Sequence, residues 1–200
     1  MVCVGLLLLG ACSSPAPKTE LVKPTVKEPE YISGSTAMHK MYVHALAWAR
    51  DAQPYRLESF LTQDWNGKEG KAGAWRAGFA SPVGRGMKPY TWVGSNAPGA
   101  GDRGITPSPE DNYVPGNASN HIFDIAFLKV DSDKALATAL KHGGDKLMEK
   151  DPNQPVLYVL DWYGAKNALV WHVIFGENRG EAKLTVMVNA STGDFVRVEK

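Results

Sequence analysis

The sequence predicts an α+β protein built of two tandem α-β-β-β-β units whose antiparallel sheets pack on their helices. Three observations carry this reading. Apolar residues recur at three- and four-residue spacing over 38–49 and again over 135–140, the pattern of a helix with one buried face. Each such stretch is followed by short runs rich in aromatic and β-branched residues, separated by Gly, Pro and Asn, which read as strands and turns. Finally, Trp75-Arg76-Ala77-Gly78-Phe79 matches Trp171-His172-Val173-Ile174-Phe175 at an offset of 96, and the helix starts near Ser35 and Asp131 keep that offset.

Ahead of the first unit, residues 1–11 carry the run Leu6-Leu7-Leu8-Leu9, far short of the roughly 20 apolar residues that span a bilayer. The segment reads as a targeting signal. It ends in Leu9-Gly10-Ala11-Cys12, which resembles the lipobox of bacterial lipoproteins. That resemblance implies removal of residues 1–11 and a diacylglycerol on Cys12, hence a membrane contact made through lipid. Ser13 after the acylated cysteine, where inner-membrane retention uses Asp, favours the outer membrane of a two-membrane cell. The mature chain would face the periplasm. Residues 12–33 hold four prolines and no apolar period, so they form a tether whose reach as a coil is about 25 Å.

The first unit spans residues 34–130. Ser35 is expected to cap a helix that buries Met38, Met41, Tyr42, Ala45, Leu46, Trp48 and Ala49, with Pro54 ending it. Strands are expected over 55–62, 74–80, 90–93 and 121–130. Between the last two lies an insertion, 95–120, dense in Gly, Pro, Asn and Asp. Asn117-Ala118-Ser119 with Phe123 mirrors Asn189-Ala190-Ser191 with Phe195 at an offset of 72, which places about two dozen extra residues in that insertion. The second unit, 131–200, opens with an Asp131-Ser132-Asp133 cap and a helix weakened or ended at Gly143-Gly144. Its strands are expected over 156–162, 169–175, 182–188 and 195–198.

Composition narrows the function. With 22 basic and 21 acidic residues the formal charge is +1, so no basic footprint points to nucleic acid. Both cysteines, Cys3 and Cys12, precede the folded part, which removes disulfides and thiolate metal sites from consideration. His39 and His44 are five apart on a helix and point apart, and His172 lies on the strand face opposite Trp171. Gly99-Ala100-Gly101-Asp102-Arg103-Gly104 fits a dinucleotide pattern, but Pro107 and Pro109 follow it where a helix should open. No serine sits in a nucleophile elbow. The residues identify no catalytic group, cofactor or metal.

Aromatic and polar residues at strand ends and in the insertion are the candidate contacts with a partner. They are Trp65, Trp92, Trp162 and Tyr163, together with Asp102, Arg103 and Tyr113. Trp75 and Trp171, mid-strand, are expected in the core.

The second unit ends in Val186-Met187-Val188-Asn189-Ala190-Ser191-Thr192-Gly193-Asp194-Phe195 and, with its helix and tryptophan-led strand, resembles the PepSY domain. Asn189 stands where that family usually has Asp, which keeps the turn chemistry and removes a charge. The resemblance covers 131–200 and reaches 34–130 more faintly. It implies an inhibitory or binding module of the cell envelope without chemistry of its own, acting on a periplasmic protein or peptide. A small-ligand or cell-wall binding lipoprotein is the alternative, and a hydrolase the third reading. Metabolic labelling with a fatty acid is expected to mark the protein and to miss a Cys12→Ala variant; equal labelling of both would remove the anchor.

Overall fold

The computed structural model describes Met1 and residues 27–63, 65–96 and 102–199. The targeting run, Cys12 and most of the tether therefore lie outside the described residues. A two-residue strand β1 (Ile32–Ser33) leads into helix α1 (Gly34–Trp48), then β2 (Gln53–Phe60), the short β3 (Lys71–Ala72), β4 (Ala74–Ser81), β5 (Gly86–Val93), β6 (Gly104–Pro107) and β7 (Asp111–Asn112). The second half runs through α2 (Ser132–Ala139) and α3 (Asp145–Lys150) to β8 (Val156–Tyr163), β9 (Ala168–Phe175), β10 (Leu184–Asn189) and β11 (Phe195–Glu199). Among the described residues no helix is long and apolar enough to cross a membrane.

The fold is α+β, and its strands form one large antiparallel sheet. The order is β11-β10-β9-β8-β2-β4-β5-β6, with β7 paired to β5, while β1 and β3 pair separately. Two four-stranded meanders thus meet first strand to first strand, at β2 and β8. The sequence reading expected one sheet for each unit; this pairing makes them continuous. It satisfies an edge on each half that would otherwise present unpaired backbone groups.

Both helices lie over one face. Met38, Met41 and Ala45 of α1 and Ala135, Leu136 and Ala139 of α2 join one apolar cluster with Trp75, Phe79, Leu57, Leu160, Trp171, Val173, Phe175 and Val188. Trp75 and Trp171 are fully buried and meet edge to face, 6.5 Å between centroids. Each indole N–H donates to a backbone carbonyl just ahead of a helix, Trp75 to Ile32 (3.0 Å) and Trp171 to Val130 (2.8 Å). Gly34 sits against both rings; a Cβ there would run into Trp171. Cross-strand register carries the 96-residue correspondence further, since Trp75 pairs with Trp92 and Trp171 with Val188.

The helix starts meet each other. The α1 N-cap, Ser33, makes no capping bond to the α1 backbone. The carboxylate of Asp131 instead accepts from the N–H of Ser35 in α1 (2.8 Å) and from Ser132 in α2 (2.7 Å). The Ser132 hydroxyl accepts from the Gly34 N–H (2.8 Å) and donates to the Gly70 carbonyl (2.5 Å). Asp131 caps as expected, and it caps two helices. Ser35 is no cap; it lies inside the first turn.

Other local expectations fail for identifiable reasons. Pro54 does not end α1; it opens β2, beside a bulge and outside the β2–β8 pairing, where its missing N–H is tolerated. Gly143-Gly144 is the exception, since the second helix is interrupted there as expected: α2 closes at Ala139, a π-type turn over 140–144 carries His142 and Gly143 (φ 111°) off helical geometry, and α3 starts beyond it. Residues 121–130 form no strand. Asn117 and Asp124 accept from the N–H groups of Ser119 and Ala126 and wind short 3₁₀ turns. The fourth strand of the first half is β6, inside the expected insertion, so the offset of 72 that set Asn117 against Asn189 does not hold.

Candidate functional site

Strand alternation sends every second residue to the face without helices. There a row of charged side chains crosses the sheet from β4 to β11. Arg76 meets Glu58 at 3.9 Å, Glu58 meets Arg56 at 3.2 Å, and Arg56 meets Asp161 at 3.2 Å. Asp161 meets His172 Nε2 at 2.9 Å, and His172 Nδ1 meets Glu199 at 2.9 Å. Arg179 and Arg197 approach the same Glu199 at 3.7 and 3.9 Å. Beneath the row β10 contributes Met187, fully buried, whose sulfur accepts from Arg197 Nε. The long charged side chains roof apolar residues, which is how Val170, Ile174 and Met187 become buried on a face with no helix.

His172 is 4% exposed. Burial by itself lowers its pKa, but hydrogen bonds to Asp161 and Glu199 and their charges outweigh burial and raise it. Burial tends to raise Asp161, yet the bond from His172, its charge and Arg56 leave the carboxyl lowered. Glu199 is lowered chiefly by the bond from His172. Two ionised carboxylates can only accept, so this arrangement favours the protonated ring, which donates from both nitrogens. In that form neither nitrogen is free to take a proton from a nucleophile.

Two cavities flank this row where the halves join. β2 and β8 pair only at Arg56–Asp161, Leu57–Leu160 and Glu58–Val159. Past that point the hydroxyl of Ser59 accepts the Tyr158 N–H (2.9 Å) in place of a backbone carbonyl, and the strands part. A cleft of about 320 Å³ opens there, floored by Phe60, Leu157, Val159 and Ile174, with Arg56 and Arg179 on its walls. At the other end of the pairing a recess of about 180 Å³ lies among Tyr55, Arg56, His121, Asp161 and Trp162. Arg56 borders both.

The residues singled out from sequence scatter around this face. Trp162 stacks on His121 at 5.2 Å and borders the smaller recess; Tyr163 lies under the Arg197 guanidinium at 5.5 Å. Trp92 and Tyr113 are 4% and 5% exposed, so they are packed inside and do not offer the exposed aromatic surface expected of them. Arg103 holds the chain ahead of β1, donating to the Glu28 carbonyl (2.7 Å) and pairing with Glu30 (3.6 Å). Asp102 is exposed near the β6 edge, and Trp65 lies in the turn after β2. Sequence reasoning missed Arg56, Asp161 and Glu199; alternation about the core residues Leu57 and Leu160 was the available signal for the first two, and Glu199, beside the exposed Val198, had none. Comparison of the chain with family models, with curated proteins and with solved structures gives no match in any of the three.

The pH dependence follows from the signs. The raised His172 stabilises fully below its unfolded value of about 6.5, and this is lost progressively as pH rises through the folded value. The lowered carboxylates stabilise above their unfolded values of about 4, and that is lost as pH falls through the folded ones. His172→Gln is therefore expected to cost about 3 kcal/mol between roughly pH 4.5 and 6.5, and less as pH rises further. Urea unfolding of both proteins across pH measures this; a pH-independent difference would refute the imidazolium.

Proposed function

We propose that this chain is a lipid-anchored, non-catalytic binding module of the cell envelope, made of two PepSY-like units, that holds a periplasmic protein or peptide on its helix-free face. The observation that carries the reading is the cleft where β2 and β8 part, an apolar floor walled by Arg56 and Arg179 beside a two-signed row of charges. Apolar floor and charged walls together suit an extended partner, one supplying buried area and the other register and choice. The engagement of both His172 nitrogens supports binding over catalysis. The meander-to-meander join at β2 and β8, with Trp75 and Trp171 in matching places, supports the two-unit reading.

The lipobox at Cys12 and the tether give the envelope location its support, and Ser13 favours the outer membrane. A photoreactive residue placed at Leu157, in the cleft, is expected to cross-link a discrete partner in intact cells. The same residue at Val43, 68% exposed on the outer side of α1, is expected not to. Identical adducts from both positions, or none from Leu157, would count against the cleft as the binding surface.

A further inference from the structure

β11 lies at the edge of the sheet with little of its own surface buried. It pairs only with β10, and their register shifts at Met187/Val188. None of its five residues belongs to the apolar core, and Phe195 and Val198 are 39% and 41% exposed. Apart from the backbone ladder, Arg197 lies over Tyr163 and donates to the Met187 sulfur, and the His142 ring stacks on Phe195 (3.8 Å, 8°). The shortest of its side-chain polar contacts reaches past β10, where Glu199 meets the buried His172 of β9 at 2.9 Å.

His172 serves two carboxylates with its two ring nitrogens, Glu199 on β11 and Asp161 on β8. A neutral ring has one N–H, so one carboxylate would then face a ring lone pair at hydrogen-bond distance and be repelled. The two are not equally free to move. β8 is paired on both sides, to β2 and β9, and Asp161 keeps Arg56 at 3.2 Å. β11 is paired on one side, and Arg179 and Arg197 stand 3.7 and 3.9 Å from Glu199, beyond hydrogen-bond reach. Glu199 is therefore the side that yields.

The charged and titratable side chains on the surrounding elements are Arg56 of β2, Asp161 and Tyr163 of β8, Glu177 and Arg179 after β9, and Arg197 and Glu199 of β11; β10 has none. Lys200 lies outside the described residues, and a lysine keeps its charge near neutral pH. Both carboxylates raise the His172 pKa, so by linkage the proton holds Glu199 as Glu199 holds the proton. Docking is strongest below the value the ring has with β11 released and weakens as pH rises through the docked value.

We propose that β11 is a proton-latched edge strand, which the charged His172 ring holds against β10 through Glu199 and which parts from the sheet when the ring is neutral. Release bares the β10 backbone from Leu184 to Asn189, an edge able to pair with another extended strand. The latch is a property of the chain alone and does not depend on a partner at the cleft.

The test is amide exchange on the full chain from pH 6 to 8.5, on millisecond to hour timescales, expressed as protection factors so that the pH dependence of the chemistry divides out. β11 should exchange faster than β4 at every pH, and its protection should fall by about tenfold or more across the range, the loss of one charged hydrogen bond. Glu199→Gln, outside the core, carries an amide that can pair with the ring in either protonation state, and should abolish the response. His142→Phe keeps a ring on Phe195 without a titrating group, and should preserve it. Protection of β11 that equals that of β4, that stays constant with pH, that still responds in Glu199→Gln, or that ceases to respond in His142→Phe would overturn the latch.

Discussion

The structure depends on one carboxylate placed between two helix starts. The N-termini of α1 and α2 come together over the middle of the sheet, each with unsatisfied N–H groups and the positive end of its dipole, an arrangement that is repulsive unless a negative acceptor lies between them. Asp131 is that acceptor. Because Ser33 supplies no capping bond to the α1 backbone, α1 takes its cap from the second half of the chain, and the Ser132 hydroxyl ties the Gly34 amide to the Gly70 carbonyl alongside it. Gly34 is required here because the Trp75 and Trp171 rings rise directly under it. Neither half carries a complete helix start and a covered sheet edge of its own, so the two form a single core.

That join also shapes the exposed face. With both helices on one side, the other side of an eight-strand path is left without a covering layer. Large flat apolar faces invite association, and here Arg56, Arg76, Arg179 and Arg197 lie across it, held by Glu58, Asp161 and Glu199. The row is continuous where the halves are hydrogen-bonded and gives way to the cleft where Ser59 interrupts the β2–β8 ladder. Joining the halves over only three residue pairs both completes the sheet and opens the concavity that the proposed function uses.

Much of this was legible in the sequence. Apolar spacing located α1 and α2, aromatic and β-branched runs between turn residues located β4, β9 and β10 within a residue or two, and the tryptophan-led match at 96 residues marked positions that occupy corresponding places in the two halves. The misses share a cause: long-range partners overrode local signals. Nothing near Ser35 shows that its amide is capped by a residue 96 positions away. The four residues of β6, with Gly104 and Pro107, read as loop, and they form a strand only because β5 presents an edge to them. Residues 121–130 read as a strand by composition, whereas Asn117 and Asp124 bend the segment into turns. The charge row was half visible. His172 had to face away from Trp171, but that Asp161 and Glu199 flank it follows from strand order, which the sequence does not display.

The most direct test of the account is amide hydrogen exchange, with equilibrium unfolding, on an Asp131→Ala variant. Losing a single helix cap costs about 1 kcal/mol, so an acceptor shared by two helix starts predicts a loss of about 2 kcal/mol. The Ser35 and Ser132 amides, 97 residues apart in sequence, should lose protection together. If Ser132 alone loses protection while Ser35 keeps its wild-type rate, Asp131 is an ordinary local cap and the two halves do not depend on it.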